Sequence, residues 1–342
     1  MLWQLGAVLI GLAYGAVLQR GRFCFVSGLR DWFLFRSYRI LLGIAAGVLV
    51  ATAGFALLSA AWQAAGQSPT GRLWVLPLGA NTVVGGLLFG FGMVMAGGCA
   101  SGTLYRIGEG YVASLAALAA IVGFFPLGMW VRQHSPWLRP VLPMGQAWLP
   151  RWLGLPAAAL ITLAIAAAFI VLARKKLAAS APPAVADPPL SLKARLLQPI
   201  SPLAAGVMLA GINIFQTALD RPWGISEPLF WMSASHGDLS GFVQRALVQT
   251  RFSPLLLDLG IILGALLAAR AAGELAWRRT RPLRLLQALG GGAMMGLGIP
   301  LAFGCNVGGV FSGLPSLSLT AWVYLLALMG GVWLAIKALR MA

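Results

Sequence analysis

The stretch GGLLFGFGMVMAGGCASGTLY at residues 85–105 is repeated as GGAMMGLGIPLAFGCNVGGVF at residues 291–311. The two segments align without a gap at a constant offset of 206 residues, and eight of their 21 positions are identical. Glycine supplies six of these identities in a chain with 43 glycines, so glycine alone is weak evidence of a repeat. A cysteine at the same position of both segments makes chance less plausible. The sequence therefore predicts two related halves.

The composition around this repeat is that of a membrane protein. Hydrophobic residues make up 59% of the chain and charged residues 10%, against roughly 25% charged residues in soluble domains. Apolar segments near the ~20 residues that cross a bilayer recur throughout, and only helices satisfy the backbone of such segments. We expect an all-α polytopic membrane protein with about nine or more membrane helices, which excludes a soluble globular enzyme. The predicted spans are Met1–Leu18, Ile40–Ala61, Leu78–Ala96, Val112–Val131, Leu155–Ala173, Leu203–Leu219, Leu255–Ala271, Leu285–Phe303 and Leu319–Leu339.

The positive charge lies in short runs between these spans. The formal net charge is +17, with basic clusters in segments 20–39 and 278–284. Basic loops of this kind remain on the cytoplasmic side, which places the N-terminus outside. No separate basic domain is present, so the charge does not indicate a nucleic-acid partner; the lipid bilayer is the expected surrounding.

A linker separates the two halves. Residues 174–199 are rich in alanine and proline (APPAVADPP) and predict a cytoplasmic connection between a first membrane repeat with a connecting span, residues 1–173, and a second repeat, residues 200–342. Five spans precede the linker, so the second repeat begins from the opposite side. We therefore predict two pseudo-symmetric inverted repeats with interrupted or re-entrant helices, an architecture typical of transporters. Pro300 and the glycines are expected to weaken the helices before the cysteines.

Three short motifs each contain one of the three cysteines of the chain. They read GRFCF at 21–25, GGCASG at 97–102 and FGCNVG at 303–308. Glycines beside a cysteine leave backbone amides open to an anion, and a thiol is a soft, polarizable group suited to sulfur. The alternative is that each cysteine is a small buried hydrophobic residue. The candidate binding residues are Cys24, Cys99, Cys305, Gly98, Ser101, Gly102, Gly304, Asn306 and Gly308.

Four charged residues near these motifs have two interpretations each. Arg22, Arg106 and Glu109 could steer an anion, or they could form local ion pairs and orient the chain. Asp258 lies inside a predicted span, where a carboxylate is a candidate proton relay, although its position near the outer end also allows interfacial placement. The cysteines form no CxxC pair and no histidine cluster lies near them, so we predict neither a disulfide framework, a metal site nor a cofactor.

The segments GRFCF (21–25), GGCASGTLYRIGEG (97–110) and FGCNVGGVFSGLPSLSLTAW (303–322) resemble the signature regions of the YeeE/YedE family of sulfur-compound transporters, closest to its thiosulfate-uptake branch. The resemblance implies an inner-membrane importer of thiosulfate without enzymatic activity. It implies that three thiols, here Cys24, Cys99 and Cys305, pass thiosulfate along a central path by weak S–H···S contacts. It also implies a small TusA-like cytosolic sulfur-carrier protein as a partner.

Soft-ligand chemistry leaves alternatives open. The substrate could be a selenium compound or another reduced sulfur species. From a different class, three thiolates could bind Cu(I) in a membrane metal-binding protein, or one cysteine could act as the nucleophile of a sulfurtransferase.

Overall fold

A computed structural model describes residues 2–143, 145–179, 198–234 and 252–341. Most of the predicted linker and the second half of the loop 220–254 lie outside these residues. The described helices are α1 Leu2–Arg20, α2 Phe25–Phe35, α3 Arg39–Ala64, α4 Ala80–Ala96, α5 Ala100–Gly108, α6 Val112–His134, α7 Pro150–Leu153, α8 Leu155–Ala179, α9 Pro202–Leu219, α10 Glu227–Ala234, α11 Pro254–Ala271, α12 Pro282–Ala302 and α13 Leu319–Met341. Two short strands, β1 Leu78–Gly79 and β2 Pro140–Leu142, pair antiparallel.

The described part of the chain contains nine helical segments that are long and apolar enough to cross a membrane. This confirms the prediction of an all-α polytopic membrane protein. Three of the nine segments, Leu2–Phe35, Ala80–Gly108 and Pro282–Ser312, are interrupted, and each interruption contains one of the cysteines. The interruptions predicted at Cys99 and Cys305 are therefore present, and a third one, which was not predicted, contains Cys24.

The helices α4 and α12 end three residues before Cys99 and Cys305, respectively. Pro300 lies inside α12, which continues to Ala302 and ends at Phe303 in the left-handed conformation with φ 60°. At the equivalent position of the first half, α4 ends at Gly97 with φ 73°. Both segments are therefore interrupted before their cysteines, as predicted, and a left-handed residue, not Pro300 itself, ends α12. After Cys305, residues Val307–Ser312 form a π-helical turn.

Helices of the first half pack on helices of the second half, in matching pairs. α1 packs on α11 as α3 packs on α9, and α6 packs on α12 as α4 packs on α13. α4 and α12 also pack on each other along a glycine contact. A Cβ on Gly85 would lie 2.8 Å from the Gly298 carbonyl oxygen, and one on Gly92 would lie 2.6 Å from that of Gly291.

Gly85 meets Gly298 near the end of α12, whereas the later Gly92 meets the earlier Gly291, so α4 and α12 run antiparallel. At the offset of 206 residues, Gly85 corresponds to Gly291 and Gly92 to Gly298, so the two contacts are reciprocal, as a pseudo-two-fold axis between the helices would make them. Without side chains, the glycines let the two backbones approach closely. That the complete halves are inverted repeats stays a prediction.

Candidate functional site

Cys24 and Cys99 form a buried thiol pair. Their Sγ atoms lie 3.5 Å apart, although the residues are 75 positions apart in the chain. Both side chains are fully buried, and both cysteines are free thiols. Cys24 is the N-cap residue of α2, and Cys99 is the N-cap residue of α5. The structure therefore brings two of the three predicted motifs into direct contact.

Gly102 makes room for this pair. A Cβ at that position would lie 2.7 Å from the Cys24 sulfur and 3.3 Å from the Cys99 sulfur. The Gly102 amide donates to Cys99 Sγ at 3.3 Å, and the Ser101 hydroxyl lies 3.3 Å from the same sulfur. Cys99 thus caps α5 with a sulfur acceptor where an oxygen is usual.

Amide groups also face Cys24. The backbone N–H groups of Ser27 and Cys99 point toward its sulfur. Because α2 and α5 both begin at the thiol pair, the positive ends of two helix dipoles converge there. Such an arrangement favours a bound anion.

Arg106 adds positive charge beside the pair. Its guanidinium donates to the Gly97 carbonyl at the turn before Cys99 and lies over the Tyr105 and Tyr111 rings. Gly98 follows in this turn, where a Cβ would lie 3.6 Å from the Arg106 guanidinium. Arg106 is therefore close enough to attract an anion toward Cys24, consistent with its predicted steering role.

Cys305 forms a second, separate site. Its sulfur faces the amides of Val307 and Gly308, the latter equivalent to Gly102 in the first repeat, and lies near the Ser226 hydroxyl. In the described part of the chain, no hydrogen bond joins Cys305 to the Cys24–Cys99 pair. The Tyr324 hydroxyl lies within electrostatic range of both Cys305 and Cys99.

Unpartnered polar groups surround Cys305. Within the described residues, both polar atoms of the Asn306 side chain are buried without a hydrogen-bond partner, as are Trp74 Nε1 and the Tyr324 hydroxyl. Buried polar groups normally have partners, because leaving one unpaired costs about 1–3 kcal/mol. Several orphan donors around one thiol are what an unfilled binding site for an oxyanion requires.

Trp74 covers the Cys305 motif on one side. A Cβ on Gly308 would lie 2.7 Å from the Trp74 ring, and one on Gly304 would lie 3.7 Å from its Nε1. Gly304 and Gly308, both predicted binding residues, have no side chain, and the Trp74 indole packs against them for this reason. On its other side Trp74 lines a cavity of about 590 Å³, which we call the outer vestibule because its walls belong to loops predicted outside.

Three arginines line the outer vestibule. Arg132 lies over the Phe303 ring at 4.3 Å and donates to the Pro300 carbonyl. Arg72 stacks on Trp62 at 5.2 Å, and Arg221 pairs with Glu227 at 2.5 Å. Two of the three cations thus remain without a carboxylate among the described side chains, and the vestibule is suited to attract anions.

A polar cluster lies at the C-terminal ends of α1 and α5. The Gln19 amide donates to Glu109 at 3.2 Å and to Glu274 at 2.8 Å. Arg22 pairs with Glu274 at 3.3 Å and its side chain is 68% exposed, so Arg22 follows the local-ion-pair interpretation and does not line the buried thiol site. Burial raises the pKa of the Glu109 carboxyl, and the hydrogen bond from Gln19 opposes this shift.

Asp258 lies in the first turns of α11, within a membrane-spanning segment. Its carboxyl lines a small apolar cavity beside Ser226. Asp258 Oδ1 is buried and has no hydrogen-bond partner among the described residues. Contact with water at the membrane interface therefore does not explain the position of this carboxyl.

The sequence analysis missed several site residues. Arg72, Arg132 and Arg221 come from three different loops or helix ends, and each seemed an isolated outside charge. Trp74 resembled other tryptophans near span ends. A usable signal was present for Ser226, because the segment RPWGIS at 221–226 weakly echoes GRFCFVS at 21–27.

The fold and the buried thiol sites define a multi-pass membrane protein with an anion-attracting vestibule. The profile of the Sulphur transport family matches residues 20–334. The chain therefore belongs to this family of transporters, and it is a sulfur-compound transporter, not an enzyme. It is 30% identical to the thiosulfate transporter TsuA of Spirochaeta thermophila over 97% of both chains. It is 28% identical to the thiosulfate transporter TsuA of Escherichia coli over 97% of this chain and 93% of that protein.

A shorter similarity extends to a third relative. The probable transporter YedE of Escherichia coli is 37% identical over 31% of this chain and 24% of its own length. The family resemblance predicted from the cysteine motifs is thus confirmed.

Proposed function

We propose that this protein imports thiosulfate across the bacterial cytoplasmic membrane along a path lined by its three thiols. The observation that carries the proposal is the 3.5 Å contact between two buried free thiols at the starts of two helices. Two relatives aligned over nearly the whole chain are named thiosulfate transporters, which supports this substrate over other sulfur compounds.

Thiosulfate matches both kinds of group found at the thiols. Its sulfonate end is a hard anion that accepts hydrogen bonds from amides, hydroxyls and indoles. Its terminal sulfur is soft and accepts a weak S–H contact. Cys305 has the orphan donors of Asn306 and Trp74 beside it, and Cys24 has open amides and Arg106 nearby. Each site can therefore hold both ends of the anion without a covalent bond.

The positions suggest the direction of movement. The vestibule arginines attract the dianion from outside, and Trp74 separates that cavity from Cys305. From Cys305 the anion passes to the Cys24–Cys99 pair and leaves beside the polar cluster of Gln19, Glu109 and Glu274. A TusA-like carrier protein would accept the sulfur at that cytoplasmic face.

The metal-binding alternative has little support from the geometry. A Cu(I) site needs its thiolates close together. Among the described residues, no three His, Cys, Asp or Glu side chains converge, and Cys305 stands apart from the other two thiols. A selenium compound or another reduced sulfur anion remains the competing substrate, because it would satisfy the same soft groups.

The test is uptake of radiolabelled thiosulfate by cells that lack their own thiosulfate systems. We expect uptake that resists excess sulfate, is competed by unlabelled thiosulfate and is lost in Cys24→Ala, Cys99→Ala and Cys305→Ala at normal membrane abundance. Ser59→Ala, which changes a buried residue bonded only to the Phe55 carbonyl, serves as the control and should transport normally.

Two results would contradict parts of the proposal. Wild-type uptake in all three cysteine variants would remove the thiol path. Absence of uptake by correctly inserted wild-type protein would remove thiosulfate as the substrate, and the same cells would then be tested with selenite. The carrier is tested separately, by asking whether coexpression of a TusA-like protein increases uptake.

A further inference from the structure

A short segment of chain separates two cavities beside Cys305. Glu227, at the start of α10, lines the outer vestibule together with Arg221. The preceding Ser226 lines a second cavity of about 180 Å³, whose wall also contains Asp258. One carboxyl therefore lies on each side of the wall, and the Cys305 thiol lies next to Ser226 in the wall itself.

The second cavity adjoins both thiol sites. Ala100, the residue after Cys99, lines it at one end, and Ser226, beside Cys305, lines it at the other. Its remaining walls are almost entirely aliphatic. Asp258 is the ionisable residue in this lining, and its Oδ1 has no hydrogen-bond partner among the described residues. A carboxylate in such surroundings is costly unless it is paired or protonated.

Few charged groups face the two carboxyls in the described chain. Asp258 is within electrostatic range of Glu227 and of the Cys305 thiol. Glu227 is paired with Arg221 and is near Asp220 and Trp231. The described neighbours of Asp258 are thus negative or neutral. Arg221, the one cation named among these described residues, contacts Glu227.

We propose that Asp258 binds a proton that is co-transported with the sulfur anion, and that Glu227 delivers this proton from the outer vestibule. The inference rests on the proposed function. A dianion held at Cys305 would favour the protonated form of the nearby Asp258 carboxyl, and by linkage a protonated Asp258 would favour the bound dianion. Anion and proton would then enter together.

The transfer involves no redox change. A proton from the outer medium binds Glu227, moves past the Ser226 hydroxyl to Asp258 and leaves to the cytoplasm when the anion departs. Burial raises the pKa of Glu227 to about 7, an effect that Arg221 opposes, so Glu227 can exchange protons near neutral pH. Each proton that enters offsets one of the two negative charges that the dianion carries against an inside-negative membrane potential.

The test uses purified full-length protein in liposomes, with the membrane potential clamped at zero by potassium and valinomycin. Radiolabelled thiosulfate accumulation is measured at steady state, and internal pH is followed with a trapped fluorescent indicator. In the wild type we expect the accumulation ratio to rise roughly tenfold per pH unit of inward acid gradient for each proton co-transported, with internal acidification on thiosulfate addition. Asp258→Asn should lose this dependence and keep thiosulfate exchange at equal pH.

The matched control is Asp31→Asn, which removes a carboxyl paired with the exposed Arg30 and should keep the full pH response. Asp258→Glu, which restores a carboxyl, should regain part of it. Wild-type accumulation that ignores the gradient, with no internal acidification, overturns the proposal, as does a full response in Asp258→Asn. If Asp258→Asn and Asp258→Glu both elute as folded protein yet lose exchange, the carboxyl serves structure or anion binding and the proposal also fails. Absence of any wild-type thiosulfate uptake would instead remove the proposed function.

Discussion

The sulfur atoms of Cys24 and Cys99 lie 3.5 Å apart because residue 102, next to both, is glycine. A methyl group there would lie 2.7 Å from the Cys24 sulfur, closer than packed atoms normally approach. The thiol pair thus depends on a residue that has no side chain.

Gly102→Ala is expected to separate the thiols. Overpacking of this kind costs about 1–3 kcal/mol, and a loss of that size from anion binding corresponds to roughly five- to 150-fold weaker affinity. We expect thiosulfate uptake to fall within this range at normal membrane abundance. The control is Gly211→Ala in α9, where nothing lies within 4 Å of an added Cβ. Equal uptake by both variants would contradict the importance of the thiol contact.

Asn306→Leu should stabilise the protein and impair transport. Both polar atoms of Asn306 are buried without partners in the described structure, so removing them relieves a penalty of about 1–3 kcal/mol. Asn213 provides the comparison, because it donates to Ser312 at 3.2 Å and accepts from the Trp223 amide at 3.0 Å. Thermal unfolding in detergent should show a higher midpoint for Asn306→Leu and a lower one for Asn213→Leu.

Uptake assays on the same preparations complete this test. Asn306→Leu is expected to lose most thiosulfate uptake despite its greater stability. A lower unfolding midpoint in Asn306→Leu would show that the amide is structurally satisfied and argue against its role as an anion donor.

Arg72→Gln should weaken capture of the anion in a salt-dependent way. Arg72 lines the outer vestibule, where a cation attracts a dianion over about 10 Å at 0.1 M salt and farther at lower salt. We expect a several-fold higher KM for thiosulfate at about 10 mM salt and a smaller effect at about 150 mM. Arg139→Gln, an exposed change in another loop that is predicted outside, should leave KM unchanged. A salt-independent defect would indicate a packing role for Arg72 on Trp62.

Glu227→Gln should alter the pH dependence of stability. The raised pKa of Glu227, about 7 against an ordinary 4.5, means that the folded protein holds a proton that the unfolded chain releases. Stability should therefore decrease as pH rises from about 4.5 to about 7, by about 3 kcal/mol at most, and then level off. Glu227→Gln, which cannot ionise, should show a smaller fall in unfolding midpoint between about pH 4.5 and pH 8 than the wild type. A wild-type midpoint that rises over this window would contradict the shift.

Much of the fold follows from local sequence properties. The predicted span Leu78–Ala96 corresponds to α4, and Leu155–Ala173 lies within α8, because uninterrupted apolar length determines a membrane helix. The break at Cys24 was not predicted as a helix interruption, but the breaks before Cys99 and Cys305 were recognisable from the glycines there. The exact break after Pro300 was not, because it depends on the left-handed conformation that Phe303 adopts.

The contacts within the site could not be predicted in the same way. Cys24 meets Cys99 only because α1 and α5 both pack on α11, and a sequence read segment by segment contains no information on that packing. Arg22 adjoins a cysteine motif, yet its partner Glu274 is 252 positions away and draws the guanidinium to the surface. Trp74 likewise reaches Gly308 from a loop of the other half.

The glycine contact between α4 and α12 also has a consequence for biosynthesis. Gly85 and Gly92 contact α12 residues that emerge from the ribosome about 200 positions later, a delay of roughly 10 to 40 s at 5–20 residues per second. Until then α4 has no partner for its glycine face, and α1 and α5 lack α11. The first half therefore remains in the bilayer with an incomplete thiol site until α11 and α12 have been synthesised. A nascent chain that stops at the linker should expose Cys24 and Cys99 to thiol reagents that cannot reach them in the finished protein.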